Sequence, residues 1–269
     1  MNQKRIPTAL SIAGSDSGGG AGIQADLKAF AACGVYGMTA ITAITAQNTR
    51  AVESVEAVSP TAVFNQILAI AEDMGADAVK IGMLGSAETI DAVAVGLTYL
   101  GVALAPVVLD TVMVAESGAV LMDDETRAAL VDVLLPYCTV ATPNIPEARE
   151  LTGLGKGATQ EELARAVVEL GPKAVVVTGG HSKELIDIFF DGKRVVEIVG
   201  DRHPGGASHG SGCTHSAALA AFLARGATPL EAARRAREVA SEAVGNGLRK
   251  LGSGSGPVDV FGLASEPPQ

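Results

Sequence analysis

Six short apolar runs, rich in β-branched residues, recur along the chain at positions 9–13, 39–45, 78–81, 107–110, 140–142 and 174–178. Between them lie Ala-rich segments with helical patterning, at 23–32, 60–74, 87–100, 124–134 and 160–170. Few folds accept this alternation. Strands that are apolar almost throughout need cover on both faces. Successive strand–helix–strand units pack with right-handed crossovers. The pattern therefore predicts a three-layer, doubly wound α/β fold: a mostly parallel sheet with helices on both faces. Residues 186–190 and 195–199 flank Asp191-Gly192 and read as a hairpin. Segments 214–224 and 229–245 read as two closing helices. Ser59-Pro60 and Thr159-Gln160-Glu161-Glu162 carry the chemistry of helix starts. No linker interrupts residues 1–269, so a single domain is expected.

Composition narrows the function classes. The formal net charge is −10, and the densest basic stretch is Arg234-Arg235-Ala236-Arg237. Nucleic-acid binding is not expected from such a balance. No membrane span is expected. The N-terminal apolar stretch ends at Asp16, too soon for a signal peptide. Cys33, Cys138 and Cys213 make an odd count with no CxxC spacing. That argues against a disulfide framework or a zinc site and for a reducing, cytoplasmic setting.

In open α/β sheets, ligands sit beyond the carboxyl ends of the strands. The first run ends in Gly14-Ser15-Asp16-Ser17-Gly18-Gly19-Gly20-Ala21-Gly22, a loop through which backbone can approach a ligand closely. The second ends near Gln47, whose carboxamide offers both a donor and an acceptor to a heteroaromatic ring. The run at 107–110 ends in Asp110, placed to hold Mg²⁺ through water. Asn144 and Glu147 follow the run at 140–142 at a helix start, and both could face one metal–phosphate cluster; a capping role for Asn144 is the alternative. The run at 174–178 leads into Gly179-Gly180-His181. Late in the chain, Ser208-His209-Gly210-Ser211-Gly212-Cys213-Thr214 opens a helix. A Gly-rich helix start leaves backbone N–H groups aimed at one spot, which suits an oxyanion, and the dipole there would lower the pKa of Cys213. A tight cap beside a buried thiol fits that segment equally well by itself. Together, the strand ends and this helix start supply an anion hole, a metal site and a place for an acceptor hydroxyl, as phosphoryl transfer requires.

Several segments resemble the hydroxymethylpyrimidine/phosphomethylpyrimidine kinases of thiamine biosynthesis, in the ribokinase-like superfamily. They are Ser11 to Lys28, Ile44-Thr45-Ala46-Gln47-Asn48-Thr49, Lys80-Ile81-Gly82-Met83-Leu84, Thr142-Pro143-Asn144-Ile145-Pro146-Glu147-Ala148 and His209-Gly210-Ser211-Gly212-Cys213-Thr214. The resemblance implies that ATP phosphorylates 4-amino-5-hydroxymethyl-2-methylpyrimidine, and then its monophosphate. It places Gly14, Ala21, Asp26, Gln47, Met83 and Val112 around the pyrimidine. Gly210, Ser211, Gly212 and Cys213 form the anion hole, with Cys213 where the superfamily usually has an Asp base. Asn144, Thr178 and Gly180 fall to the nucleotide, and Asp110 and Glu147 to Mg²⁺. A homodimer is implied as well. Three positions depart from the family pattern: Glu116 and Thr178 stand where Lys is usual, and His215 replaces an apolar residue. The departures bear on rate, the second phosphorylation and nucleotide handling.

Two other functions fit parts of this pattern. A pyridoxine/pyridoxal kinase of the same branch can carry Thr at position 178 but lacks the Ala-Gln-Asn-Thr segment. A non-catalytic pyrimidine sensor would explain lost cations but would not need an intact Gly-Ser-Gly-Cys turn. An NAD-dependent dehydrogenase is rejected, because no acidic residue closes the strand around Thr45 to bind a ribose.

Overall fold

The computed structural model describes residues 5–101, 105–113, 122–180 and 185–264. Among them, nine strands form one sheet in the order β3-β2-β1-β4-β5-β6-β7-β8-β9. In chain order the elements begin with β1 (Thr8–Asp16), α1 (Gly22–Ala32), β2 (Tyr36–Gln47), β3 (Val52–Ala57), α2 (Pro60–Asp73), β4 (Ala78–Ile81), α3 (Ala87–Tyr99) and β5 (Val107–Leu109). They continue with α4 (Asp124–Ala129), β6 (Val140–Ala141), α5 (Ile145–Thr152), α6 (Gln160–Glu169), β7 (Val175–Val177), β8 (Ile186–Phe190), β9 (Val195–Val199), α7 (Ser211–Ala224) and α8 (Pro229–Gly245). The central strands β2-β1-β4-β5-β6-β7, in sheet order, are parallel, whereas β3, β8 and β9 add antiparallel edges.

Two apolar layers sandwich the sheet. One buries Val63 and Ile67 of α2, Ile90 of α3, Ala148 of α5 and Leu163 of α6 against strand residues such as Leu10 and Ile81. The other buries Ala29 and Phe30 of α1, Ala217 to Leu223 of α7 and Ala232 of α8 against Ala9, Val108 and Val176. This is the three-layer, doubly wound arrangement the sequence predicts. α7 is buried from Thr214 through Leu223, so its Ala side chains face protein on all sides. Small side chains let it lie close to the sheet, which fixes where its N-terminus points.

Several boundaries differ from the sequence reading. β1 runs on through Gly14 to Asp16, with a register break between Ala13 and Ser15 against β2. Such irregularities re-aim backbone and are common beside active sites. The segment 124–134 is α-helical only to Ala129 and continues as a π-helical turn, Leu130–Leu134. α7 begins at Ser211, three residues before the expected start, so Cys213 belongs to its first turn. β3 is a strand with no counterpart in the sequence reading.

Order reverses between β1 and β4: the chain moves outward from β1 to β2, then returns past β1 to β4. A crevice at such a switch point is where doubly wound sheets bind ligands.

Candidate active site

A cleft of about 350 Å³ lies at that switch point. It is lined by the exits of β1, β2, β4 and β5, the start of α5 and the start of α7. Gly14, Ala21, Gln47, Met83, Val112, Asp110, Asn144, Glu147 and Gly210 to Cys213, singled out in the sequence, all face it. A Cβ at Gly14 would come within 2.6 Å of the Met83 methyl group, so the Met83 side chain would have to shift to admit one.

The start of α7 has no side-chain cap, and its N-cap, Gly210, is left-handed (φ 82°). The Ser211 N–H donates to the Ser208 carbonyl (2.9 Å) and closes the turn. The first-turn amides of Gly212 and Cys213 have no intrahelical acceptor, which leaves them as donors of the kind an anion can use. A Cβ on Gly212 would meet nothing within 4 Å, so this face is open to a phosphoryl group.

Cys213 overturns one expectation. Burial pushes its thiol up to about 12, and the carboxylates of Asp110 and Asp26 push the same way. Lys80 and the Gly22 N–H pull it down but do not prevail. Lost solvation and two nearby negative charges outweigh the helix terminus. The ligand-free site therefore holds a neutral thiol.

Asp26 is not at the surface of the cleft. It is fully buried behind it, where it accepts from Ser11 Oγ (2.6 Å) and from Lys80 Nζ (2.9 and 3.0 Å). Lys80 Nζ also lies 3.6 Å from Asp110 Oδ2, which accepts from Ser216 Oγ (2.9 Å). Burial works against the Lys80 ammonium, but Asp26 and the neighbouring negative groups more than restore it and raise its pKa. Lys80 is the only Lys or Arg among the described residues lining the cleft. Sequence analysis gave it no role, because a lysine inside an apolar run reads as a strand-end residue until its partners are known.

Asn144 caps α5: its Oδ1 accepts from the Glu147 N–H (2.9 Å), and Glu147 Oε2 accepts from the Asn144 N–H (3.0 Å). Thr111 Oγ1 also donates to Glu147 Oε2 (3.0 Å). The capping alternative is thus realised for Asn144, although it still faces the cleft. Burial first, and then the charge of Asp110, raise Glu147 to about 7.

The chain matches the phosphomethylpyrimidine kinase family over residues 16–259. It is 49% identical over 259 residues to the hydroxymethylpyrimidine/phosphomethylpyrimidine kinase of Rhizobium meliloti, covering 94% of this chain and 96% of that one. The chain belongs to the phosphomethylpyrimidine kinase family. Another relative, the thiamine biosynthesis bifunctional protein ThiED of Geobacter sulfurreducens, is 43% identical over 96% of this chain and 52% of its own. Among solved structures, the ADP complex of Bacillus subtilis pyridoxal kinase superposes with a TM-score of 0.88 at 36% identity, covering 97% of this chain and 100% of that chain. The fold is ribokinase-like.

The positions expected to meet the nucleotide are less well gathered. Thr178 pairs with Asn144 in an isolated bridge, and its N–H donates to the Pro143 carbonyl (2.8 Å), but it does not line the cleft. Gly180 is exposed and also outside it. Glu116 and His181 lie outside the described residues. His215 is 5% exposed inside α7, and its Nε2 has no hydrogen-bond partner.

The donors present fit Mg²⁺. Asp110 and Glu147 offer hard oxygen ligands, and their mutual repulsion is what a divalent cation relieves. The described residues hold no group of three or more His, Cys, Asp or Glu arranged for a metal. Two carboxylates completed by phosphate oxygens and water is the arrangement Mg²⁺ favours.

Proposed function

We propose that the protein transfers the γ-phosphoryl group of ATP to the 5-hydroxymethyl oxygen of 4-amino-5-hydroxymethyl-2-methylpyrimidine. The same site then phosphorylates the monophosphate to the diphosphate, in thiamine biosynthesis. The observation that carries this reading is the convergence of three things on one cleft: an uncapped helix start, a carboxylate pair, and a small pocket floored by Gly14, Met83 and Gln47. The Rhizobium relative's name states the same activity.

Gln47 and the backbone of the first loop bind and orient the ring. The amides of Gly212 and Cys213 hold the phosphoryl oxygens, where a preorganised donor contributes several kcal/mol to the transition state. When bound, Mg²⁺ would neutralise phosphate charge from its seat on Asp110 and Glu147. Cys213 stands beside the acceptor hydroxyl as a neutral thiol. Phosphoryl transfer through a loose transition state tolerates this, since the acceptor proton need not leave early and positioning supplies most of the acceleration. Nucleotide contacts at Asn144, Thr178 and Gly180, a homodimeric assembly and a cytoplasmic location belong to the same proposal. The free state of all three cysteines supports the last.

A second reading is pyridoxal kinase, favoured by the close superposition on the Bacillus subtilis enzyme. Incubation with MgATP and each acceptor in turn, with products weighed by mass spectrometry, separates the two. Pyrimidine monophosphate and diphosphate are expected. Phosphopyridoxal alone would replace the proposal with the second reading, and pyrimidine binding without turnover would point to a sensor.

A further inference from the structure

The first loop and the anion hole are held together by a contact that the phosphoryl-transfer reading leaves unused. Asp16, the last residue of β1, is 2% exposed. Its carboxylate gathers three amides of the glycine loop: Oδ1 accepts from the Gly18 N–H (2.7 Å), and Oδ2 from the N–H groups of Gly20 (2.9 Å) and Ala21 (2.8 Å). The loop is wound around a single charge.

His209, immediately before the anion hole, reaches the same charge. Its Nε2 lies 3.5 Å from Asp16 Oδ2, and its imidazole packs over Gly20, where any Cβ would run into the ring. One residue on, Gly210 approaches the Gly20 carbonyl so closely that a side chain there would overlap it. His209 is tied down on its other side. Its N–H donates to the Gly256 carbonyl (3.3 Å), and its own carbonyl accepts from the Val258 N–H (3.0 Å). The His209 main chain is thus braced by the C-terminal segment, and its imidazole is pressed onto the loop that carries Ala21. Burial alone would raise the Asp16 carboxyl, but the bond from His209 and the three amides outweigh it and hold it below the ordinary range.

We propose that His209 is a positioning residue, clamping the pyrimidine-side loop to the phosphoryl hole through Asp16 so that acceptor hydroxyl and phosphoryl group stay in register. His209 touches neither reacting group in this account. It acts through Asp16 and the backbone of Gly20 and Ala21. The two loops belong to different elements, the exit of β1 and the start of α7, and the His209 imidazole spans them beside the bond from the Gly22 N–H to the Cys213 thiol. Without the clamp, Asp16 keeps its three amides, so the loop stays folded but loses its fixed distance to the hole. Misplacing a reactant by about 1 Å can cost on the order of 100-fold in rate.

The proposal rests on the kinase reading only for its kinetic arm. The test compares wild type, His209→Ala and His209→Gln, whose amide can still donate to Asp16. His209→Ala is expected to lower kcat for the pyrimidine roughly 10- to 100-fold, with the Kd for ADP changed less than about threefold, as expected when only register is lost. His209→Gln should recover most of that loss. In ligand-free protein, hydrogen exchange of peptides spanning positions 16–22 should quicken in the Ala variant and match wild type in the Gln variant. If His209→Ala fails to fold, His209→Asn, whose amide falls short of Asp16, takes its place. Unchanged exchange together with kcat within about twofold of wild type would overturn the clamp. So would equal impairment of the Ala and Gln variants, since the imidazole itself would then be required. A wild-type protein that phosphorylates no pyrimidine sinks the kinase reading, and the exchange rates then decide the clamp by themselves.

Discussion

At the residue scale, the site is governed by charges that are buried rather than displayed. Lys80 and Asp26 are both fully buried, and each removes the penalty of the other. Breaking such a pair by removing one partner costs about 3–5 kcal/mol, because a naked charge remains. Lys80→Met is therefore expected to lower unfolding free energy by about that amount in chemical denaturation, and Asp26→Asn in the same chain to restore part of it. A loss below about 1 kcal/mol in the single variant would mean that the pair is not electrostatically coupled. Cys213 gives a second prediction. With its pKa near 12, the thiolate fraction rises about tenfold per pH unit through the neutral and mildly alkaline range. Alkylation of Cys213 by iodoacetamide, read by peptide mapping, should follow that slope from pH 7 to 10 in ligand-free protein. A rate that levels off below pH 8 would show an activated thiolate instead. The sequence could name Cys213 and its neighbours but not this environment. The carboxylates that raise its pKa come from α1 and the exit of β5, distant in the chain and joined only by the sheet.

At the element scale, the strands that read clearly were those buried on both faces. β4, apolar apart from Lys80, and the wholly apolar β5 are fully covered and lie where the 78–81 and 107–110 runs place them. β3 escaped because Val-Glu-Ser-Val-Glu-Ala is exposed along most of its length, so neither continuity nor alternation marks it. The early start of α7 escaped for another reason. Ser211-Gly212-Cys213 has weak helix propensity, and tertiary packing of the Ala-rich turns that follow carries the helix back to Gly210. That buried helix also encloses His215. Burial drives its imidazole pKa down, with Arg237 adding to the effect and Asp187 opposing it. The folded state thus refuses a proton that the unfolded chain accepts near pH 6.5. Stability should be flat above that pH and fall as the pH drops from about 6.5 towards the lowered value. His215→Leu should flatten the acid limb, and at pH 7.5 it should add about 1–3 kcal/mol by removing an unsatisfied buried nitrogen. Denaturant midpoints at pH 5.5 and 7.5 for the two proteins check both signs. An acid limb that persists in the variant would assign it to other groups.

At the scale of the whole molecule, one sheet with two apolar layers brings together the exits of strands drawn from the entire chain. The order β2-β1-β4-β5 puts the reversal of the winding beside β1, and the cleft opens there. This much was legible in advance, since parallel strands must end on one side and their exits carried the Gly, Gln, Asp and Glu residues. Which exits meet was not legible: Thr178 and Gly180 lie away from the cleft, and Asp26 lies beneath its floor. No helix among the described residues is long and apolar enough to cross a membrane. A cleft holding Asp110 and Glu147, on a chain of net charge −10, repels bare nucleotide. Nucleotide binding should consequently depend on Mg²⁺. ADP with Mg²⁺ at about 100 times its Kd should stabilise the fold by ~2.7 kcal/mol, and ADP with EDTA by far less. Equal stabilisation in both would remove Asp110 and Glu147 from the nucleotide's surroundings. The central claim is that this cleft phosphorylates a pyrimidine alcohol. Its most direct measure is kcat/KM with MgATP for 4-amino-5-hydroxymethyl-2-methylpyrimidine beside that for pyridoxal, in wild type and in Gln47→Ala. The account predicts a preference for the pyrimidine that Gln47→Ala erodes mainly through a higher KM. A preference for pyridoxal, or a pyrimidine KM indifferent to Gln47, would contradict it.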